Sequence, residues 1–398
     1  MNEAVIDPIL ETAVNTGDMF CSQTIPNRCL KDTILIEVQP ECADTLQCVL
    51  DDKVSRHQPL LLRNHKKLEL PSEKSVTRGG FYMQQLELLV KSAPPNEYAL
   101  LLIQCKDTAL ADEDNFFVAN GVIDAGYRGV ISALLYYRPG VTVILPGHLT
   151  IYLFPVKLRQ SRLLPKNVLK HLDPIFKSLQ VQPLSNSPSN YEKPVIPEFA
   201  DISTVQQGQP LHRDSAEYHI DVPLTYKHII NPKRQEDAGY DICVPYNLYL
   251  KRNEFIKIVL PIIRDWDLQH PSINAYIFGR SSKSRSGIIV CPTAWPAGEH
   301  CKFYVYNLTG DDIRIKTGDR LAQVLLIDHN TQIHLKHNVL SNIAFPYAIR
   351  GKCGIPGVQW YFTKTLDLIA TPSERGTRGF GSTDKETNDV DFLLKHQM

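Results

Sequence analysis

Residues 141–156 read VTVILPGHLTIYLFPV, and residues 312–327 read DIRIKTGDRLAQVLLI. With Gly147 laid on Gly318, 171 residues apart, the two match as strand, glycine turn and strand. Apolar and polar positions alternate with the period of a half-buried strand, not of a helix. At an offset of 170, GYRGVISALLYYRPG (126–140) lies over PAGEHCKFYVYNLTG (296–310), and a turn absorbs the one-residue slip. Such a degenerate repeat makes each half one β unit of the same kind. The plainer alternative is coincidence between two β-rich stretches, since the identities are few.

The same alternation recurs outside the repeat. Ile34-Leu35-Ile36-Glu37-Val38, Val141-Thr142-Val143-Ile144-Leu145, Lys302-Phe303-Tyr304-Val305-Tyr306 and Ile313-Arg314-Ile315-Lys316 read as short strands, with Pro, Gly, Asp or Asn close to each. Together with 27 Pro and 21 Gly in 398 residues, this predicts an all-β chain of two units, each a sandwich or jelly roll. Residues 166–179 have apolar positions near a 3, 4 repeat and predict a short helix, kinked or split at Pro174. Residues 180–210 are rich in Pro, Ser, Gln and Asn and read as a linker. The expected layout is therefore a first unit at 1–160, helix and linker at 161–212, a second unit at 213–372, and a mobile Gly-rich, then charged, tail at 373–398.

Composition narrows the function classes. Lys plus Arg and Asp plus Glu are 43 each, so the formal net charge is zero, against a general nucleic-acid binder. The nine Cys show no CxxC spacing, which argues for reduced thiols in an intracellular protein rather than a disulfide framework or zinc ribbon. The N-terminus carries Glu3, Asp7, Glu11 and Asp18 and does not read as a signal peptide. The uncharged run 139–156 holds three Pro and two Gly, so two strands fit it better than a membrane span.

Five short motifs hold the candidate chemistry: GVIDAGYRG (121–129), EDAGYDI (236–242), GRSSKSRSG (279–287), GDRLAQ (318–323) and RGTRGFGST (375–383). Asp124 sits in an apolar-Gly hairpin, where a carboxylate beside a water can act as general base; the blander reading is a turn-capping Asp. Asp237 and Asp241 flank one turn, and either can reach a hydrated Mg²⁺ or simply be solvated. The hydroxyls of GRSSKSRSG, with Arg280, Lys283 and Arg285 nearby, suit phosphate oxygens, though such loops are often only solvated. Gln323 is polar in an apolar strand and, if buried, needs an internal partner or a ligand. In RGTRGFGST, Phe380 can stack on a flat base while Arg375 or Arg378 holds phosphate; alone, the stretch reads as a Gly-rich tail. The two halves have lost different things. The first has HLTIY where the second has DRLAQ, and the second has Ala294 or Trp295 where the first has Asp124. Two half-sites, each lacking the other's polar residues, suggest one composite site.

Taken together, the five motifs closely resemble those of the dUTPase family. The early position of GVIDAGYRG, the double length and the degenerate repeat look like the monomeric herpesvirus enzymes, most of all the alphaherpesvirus, varicella-type ones. The resemblance implies hydrolysis of dUTP to dUMP and pyrophosphate with Mg²⁺, keeping uracil out of viral DNA and supplying dUMP for thymidylate synthesis. Asp124 would activate water for in-line attack on the α-phosphorus. Tyr127 would pack on deoxyribose, and backbone groups of the hairpin Asn120, Gly121, Ile123, Ala125, Gly126 and Tyr127 would read the uracil edge. Arg280, Ser281 and Ser282 match the phosphate loop, Gln323 lies near the phosphates, and Asp241 lies near Mg²⁺, reached through water. Phe380, within Gly379, Gly381 and Ser382, would close over uracil, with Arg375 on the γ-phosphate side.

Asp384 follows Thr383 where the family motif has Gly, and residues 340–368 make a long path between the fourth and fifth motifs. The resemblance also implies a monomer binding a small nucleotide, without nucleic acid or membrane, in host cytoplasm or nucleus. The competing readings are a catalytically inactive binding or regulatory relative and a deoxycytidine triphosphate deaminase on the related fold.

Overall fold

Gly147 and Gly318, the turn glycines aligned by the repeat, both adopt left-handed backbone in the computed structural model of the chain, with φ of 81° and 86°. Glycine enters that region without the steric penalty of a Cβ. Each N–H is held alike, Gly147 by the Asn64 carbonyl and Gly318 by the Val244 carbonyl, both at 2.7 Å. The structure describes residues 32–39, 46–49, 59–71, 80–105, 115–159, 217–218, 229–230, 236–244, 247–264, 273–316, 318–329, 335–336, 348–349 and 358–378. The helix expected at 166–179, the linker at 180–210 and the tail beyond Arg378 lie outside them.

The repeat extends to strand pairing. In the first half, Thr150–Lys157 lies between Leu60–Asn64 and Tyr98–Cys105; in the second, Arg320–Asp328 lies between Tyr240–Cys243 and Ile273–Gly279. Lys157 faces Tyr98 and Asp328 faces Ile273, so the central pairs share one register. Likewise Ser132–Tyr137 lies between Tyr82–Glu87 and Phe116–Ala119, and His300–Asn307 between Phe255–Ile263 and Ile288–Cys291. The architecture is all-β, with the sheets of the first half closing over a core that includes Leu62, Leu100, Phe116, Leu135 and Ile151. Of the expected strand at 141–145, only Val143–Ile144 pairs, because its partner Leu68–Glu69 offers two residues.

Several strands are apolar on both faces for a physical reason. In Tyr98–Cys105, Leu100 and Leu102 enter the first-half core, while Ala99, Leu101 and Ile103 meet Ala238, Tyr276, Phe278, Leu325 and Ile327 of the second half. A second shared cluster joins Phe117, Leu134 and Tyr136 to Ile289, Cys291 and Leu308. Full burial of one such large side chain stabilises by about 1.5–3 kcal/mol. The partly exposed Arg159–Asp328 pair, at 2.8 Å, adds about 1 kcal/mol at most. Apolar packing, not ion pairing, thus joins the halves, and the described residues of both belong to one compact unit.

The chain then returns to the first half. Gln359–Phe362 pairs in parallel with Thr33–Val38, and the short helix Leu366–Ile369 packs Leu366 on Leu35 and Ala93. The Leu366 N–H donates to Glu37 at 2.9 Å, and Lys91 bridges Glu37 and Asp367 at 3.3 Å each. This return delivers residues 371–378 to the GVIDAGYRG hairpin. Among the described residues, no helix is long and apolar enough to cross a membrane.

Candidate active site

The strand Gly121–Ile123 lies at the edge of its five-stranded sheet, paired only with Tyr98–Cys105 among the described strands. Ile123 packs into the first-half core and Val122 onto the shared core, which fixes the hairpin at the seam between the halves. The next residue, Asp124, is buried. Its Oδ1 accepts the backbone N–H of Ala238 at 2.8 Å, and its Oδ2 is in contact with the Arg375 guanidinium. Arg375 lies 3.8 Å from Asp237 Oδ1 and 6.0 Å from the Tyr127 ring centroid. Burial, then the neighbouring Arg378, pulls the Arg375 guanidinium down to about 10, so it remains charged opposite Asp124 at neutral pH. Burial, then Glu87, pushes the Tyr127 phenol up, and its hydroxyl donates to the Val130 carbonyl at 2.9 Å.

The hairpin divides into an open and an occupied part. The carbonyls of Ala125 and Tyr127 accept from Arg128, and that of Gly126 accepts from Ser373. The outer edge of Gly121–Ile123, next to Asn120, has no neighbouring strand among those described, so its donors and acceptors suit a flat polar ligand edge.

The second half supplies a compact polar cluster. Asp241 binds Arg280 Nε at 3.0 Å through one oxygen and Arg320 Nη1 at 3.1 Å through the other. Gln323, opposite Asp241 in the ladder, donates to the Gly279 carbonyl at 3.1 Å. GRSSKSRSG, expected as a loop, forms the short helix Ser281–Arg285, since Gly and Pro are absent between Arg280 and Ser286 and Ser284 N–H bonds Arg280 at 3.0 Å. Ser281 is half-buried, and the buried Ser282 hydroxyl has no hydrogen-bond partner among the described residues. Such a group has a reason to meet a ligand oxygen.

The two parts are contiguous. Ala238 holds Asp124; three residues further along the same backbone, about 10 Å when extended, Asp241 holds Arg280, which precedes Ser281. The Tyr136 hydroxyl of the first half also meets the Ser284 carbonyl of the second. Register explains why each half holds a partial set. Val122 faces Leu101 and Ala294 faces Tyr276, so Pro296 takes the place of Asp124 in the second half, not Ala294 or Trp295. The central strand is offset by 171 residues but the hairpin strand by 172, because the connections differ in length. Leu61 faces Tyr152 where the second half pairs Asp241 with Gln323.

Among the described residues, no cluster of three His, Cys, Asp or Glu could hold a metal ion. Both Asp241 oxygens face guanidinium groups, so this donor set does not fit a directly ligated Mg²⁺. Gly379, Phe380, Gly381 and Ser382 lie outside the described residues. Sequence reasoning missed Glu236, Ser373 and Arg128 as site residues; the only local trace is an acid placed directly before DAGYD.

Residues 225–354 match the dUTPase family. The chain is 29% identical over 341 residues to the deoxyuridine 5'-triphosphate nucleotidohydrolase of Equine herpesvirus 4, covering 81% of this chain and 90% of that one. Over most of its length the chain is similar to the herpesvirus dUTPases. The Human herpesvirus 1 enzyme of the same name is 27% identical, covering 76% of this chain and 84% of its own. The solved EIAV dUTPase aligns with 29% of this chain and 93% of its own at 20% identity and a TM-score of 0.22, too slight a likeness to bear on the fold. The matched segment 225–354 holds Asp241, Arg280, Ser281, Ser282 and Gln323, while Asp124 and Arg375 come from outside it.

Proposed function

We propose that the protein hydrolyses dUTP to dUMP and pyrophosphate at one composite site assembled within a single chain. The supporting observation is the meeting at Asp124 of the first-half hairpin, the second-half EDAGYD backbone and the C-terminal Arg375. Asp124 holds a water by one carboxylate oxygen while Ala238 fixes the other. As the nucleotide enters, its phosphates give Arg375 an alternative anion, and Asp124 Oδ2 is released to accept a proton from that water. The water oxygen bonds the α-phosphorus, the bond to the bridging oxygen on the β side breaks, and pyrophosphate leaves with that oxygen. A positioned base supplies roughly 10²–10⁴-fold of the acceleration.

Ser281 and Ser282 donate to phosphate oxygens, and Arg280 and Arg320, held by Asp241, set a positive field beside them. The open edge of 121–123 reads the base: cytosine mismatches its donors and acceptors, and the thymine methyl has no room. A site built around one polar edge leaves its groups unpaired with the wrong base, the basis of strong discrimination. Tyr127 packs on the deoxyribose where a 2′-hydroxyl would stand, and Phe380 closes over uracil with Gly379, Gly381 and Ser382. Asp241, with both oxygens on guanidinium groups, would meet an Mg²⁺ accompanying the triphosphate only through water. When bound, the ion supplies neutralisation of phosphate charge.

Pyrophosphate and ammonia release, measured with dUTP and with dCTP, test this reading. Pyrophosphate from dUTP alone supports it. Ammonia from dCTP, or binding without turnover, replaces it with a deaminase or an inactive relative.

A further inference from the structure

The proposed reaction uses Asp124 and Arg375 but leaves a neighbouring buried carboxylate without a role. Glu236 is 9% exposed. Its Oε1 accepts the Arg375 backbone N–H at 2.6 Å and the Ser373 hydroxyl at 3.2 Å. The Ser373 oxygen itself accepts the N–H groups of Arg375 and Gly376 at 3.1 and 3.0 Å, and its proton is shared with the Gly126 carbonyl. A Cβ at Gly126 would fall 2.2 Å from Glu236 Cδ, so the hairpin needs glycine there for the carboxylate to lie against its backbone. Arg128 N–H donates to the Gly376 carbonyl at 2.9 Å, and its Nη2 to the Thr371 carbonyl at 3.2 Å.

We propose that Glu236 is a positioning residue for the reaction, pinning the root of the C-terminal segment to the Asp124 hairpin so that Arg375 reaches the site from a fixed backbone. A buried carboxylate is costly unless donors satisfy it, and here residues 373–375 supply them. Detachment of the segment leaves Glu236 unsatisfied, so the joint favours the docked root. Glu236 acts through the segment and touches no reacting atom. The kinetic arm rests on the dUTP-hydrolysis reading; the proteolytic arm does not.

The test compares full-length wild type with Glu236→Ala, Glu236→Gln and Ser373→Ala. Trypsin cleavage after Arg375 and Arg378 in ligand-free protein is followed by mass spectrometry, alongside kcat and KM with dUTP and thermal unfolding. Glu236→Ala raises cleavage about tenfold and lowers kcat/KM about tenfold, mainly through kcat. Glu236→Gln keeps an acceptor oxygen and restores both to within about threefold. Ser373→Ala, which removes the other side of the joint, exposes the same bonds and decides the matter should Glu236→Ala not fold. Wild-type cleavage and kinetics in Glu236→Ala, or a Gln variant as impaired as the Ala variant, overturn the proposal. No pyrophosphate from dUTP with wild type overturns the functional reading instead, and the cleavage rates still judge the joint.

Discussion

Asp124 and Ala238 are 114 residues apart in the chain, yet the Asp124 carboxylate accepts the Ala238 backbone N–H at 2.8 Å in a buried setting. This bond ties the hairpin of one β unit to the EDAGYD segment of the other. It also aims the carboxylate, leaving its second oxygen toward Arg375. A general base needs such fixing, since rate depends on holding it within hydrogen-bond reach of the proton it takes.

Asp124→Asn retains an oxygen able to accept from Ala238, so fold and nucleotide binding persist. Turnover falls by at least about 10²-fold because an amide is a poor base. Calorimetric dUTP binding and pyrophosphate release measure the two separately, and turnover near the parent rate removes Asp124 from its role.

Deleting residues 373–398 spares folding and abolishes efficient hydrolysis. Between Ser373 and Arg378 the segment is held by polar contacts and contributes no side chain to the buried cores. Circular dichroism is expected to be near-native while kcat/KM collapses; unchanged catalytic efficiency refutes the role of the segment.

Asp241→Asn removes a charge shared by Arg280 and Arg320, which are 7% and 9% exposed. Two buried guanidinium groups then face a neutral partner, at a cost of about 3 kcal/mol. The urea midpoint reports it, and an unchanged midpoint shows that solvent already screens the pair.

Phe278→Ala opens a cavity in the core shared by both halves and destabilises by about 3–5 kcal/mol. Because that core belongs to both β units, unfolding remains a single transition at a lower midpoint. Two separate transitions in calorimetry contradict a cooperative seam.

Local residue chemistry made much of the architecture legible. Alternation marked the strands, and Gly147 and Gly318 marked equivalent turns because a left-handed residue without Cβ leaves a trace in any sequence. The continuous run Tyr-Ala-Leu-Leu-Leu-Ile at 98–103 carried a subtler message: both its faces are buried, one in each core. The serine motif reads as a loop because hydroxyls and glycines favour turns, yet the uninterrupted stretch at 281–285 closes a short helix.

Strand period, turn glycines and short motifs are local properties, so the order of residues alone marks a doubled β protein with polar motifs divided between its halves. That Pro296 stands where Asp124 would have its counterpart, that Asp241 is held by two arginines, and that Glu236 grips the root of the C-terminal segment emerges from the folded chain alone. Each of those depends on strand register or on contacts between residues far apart in the chain, and no local preference encodes which group arrives.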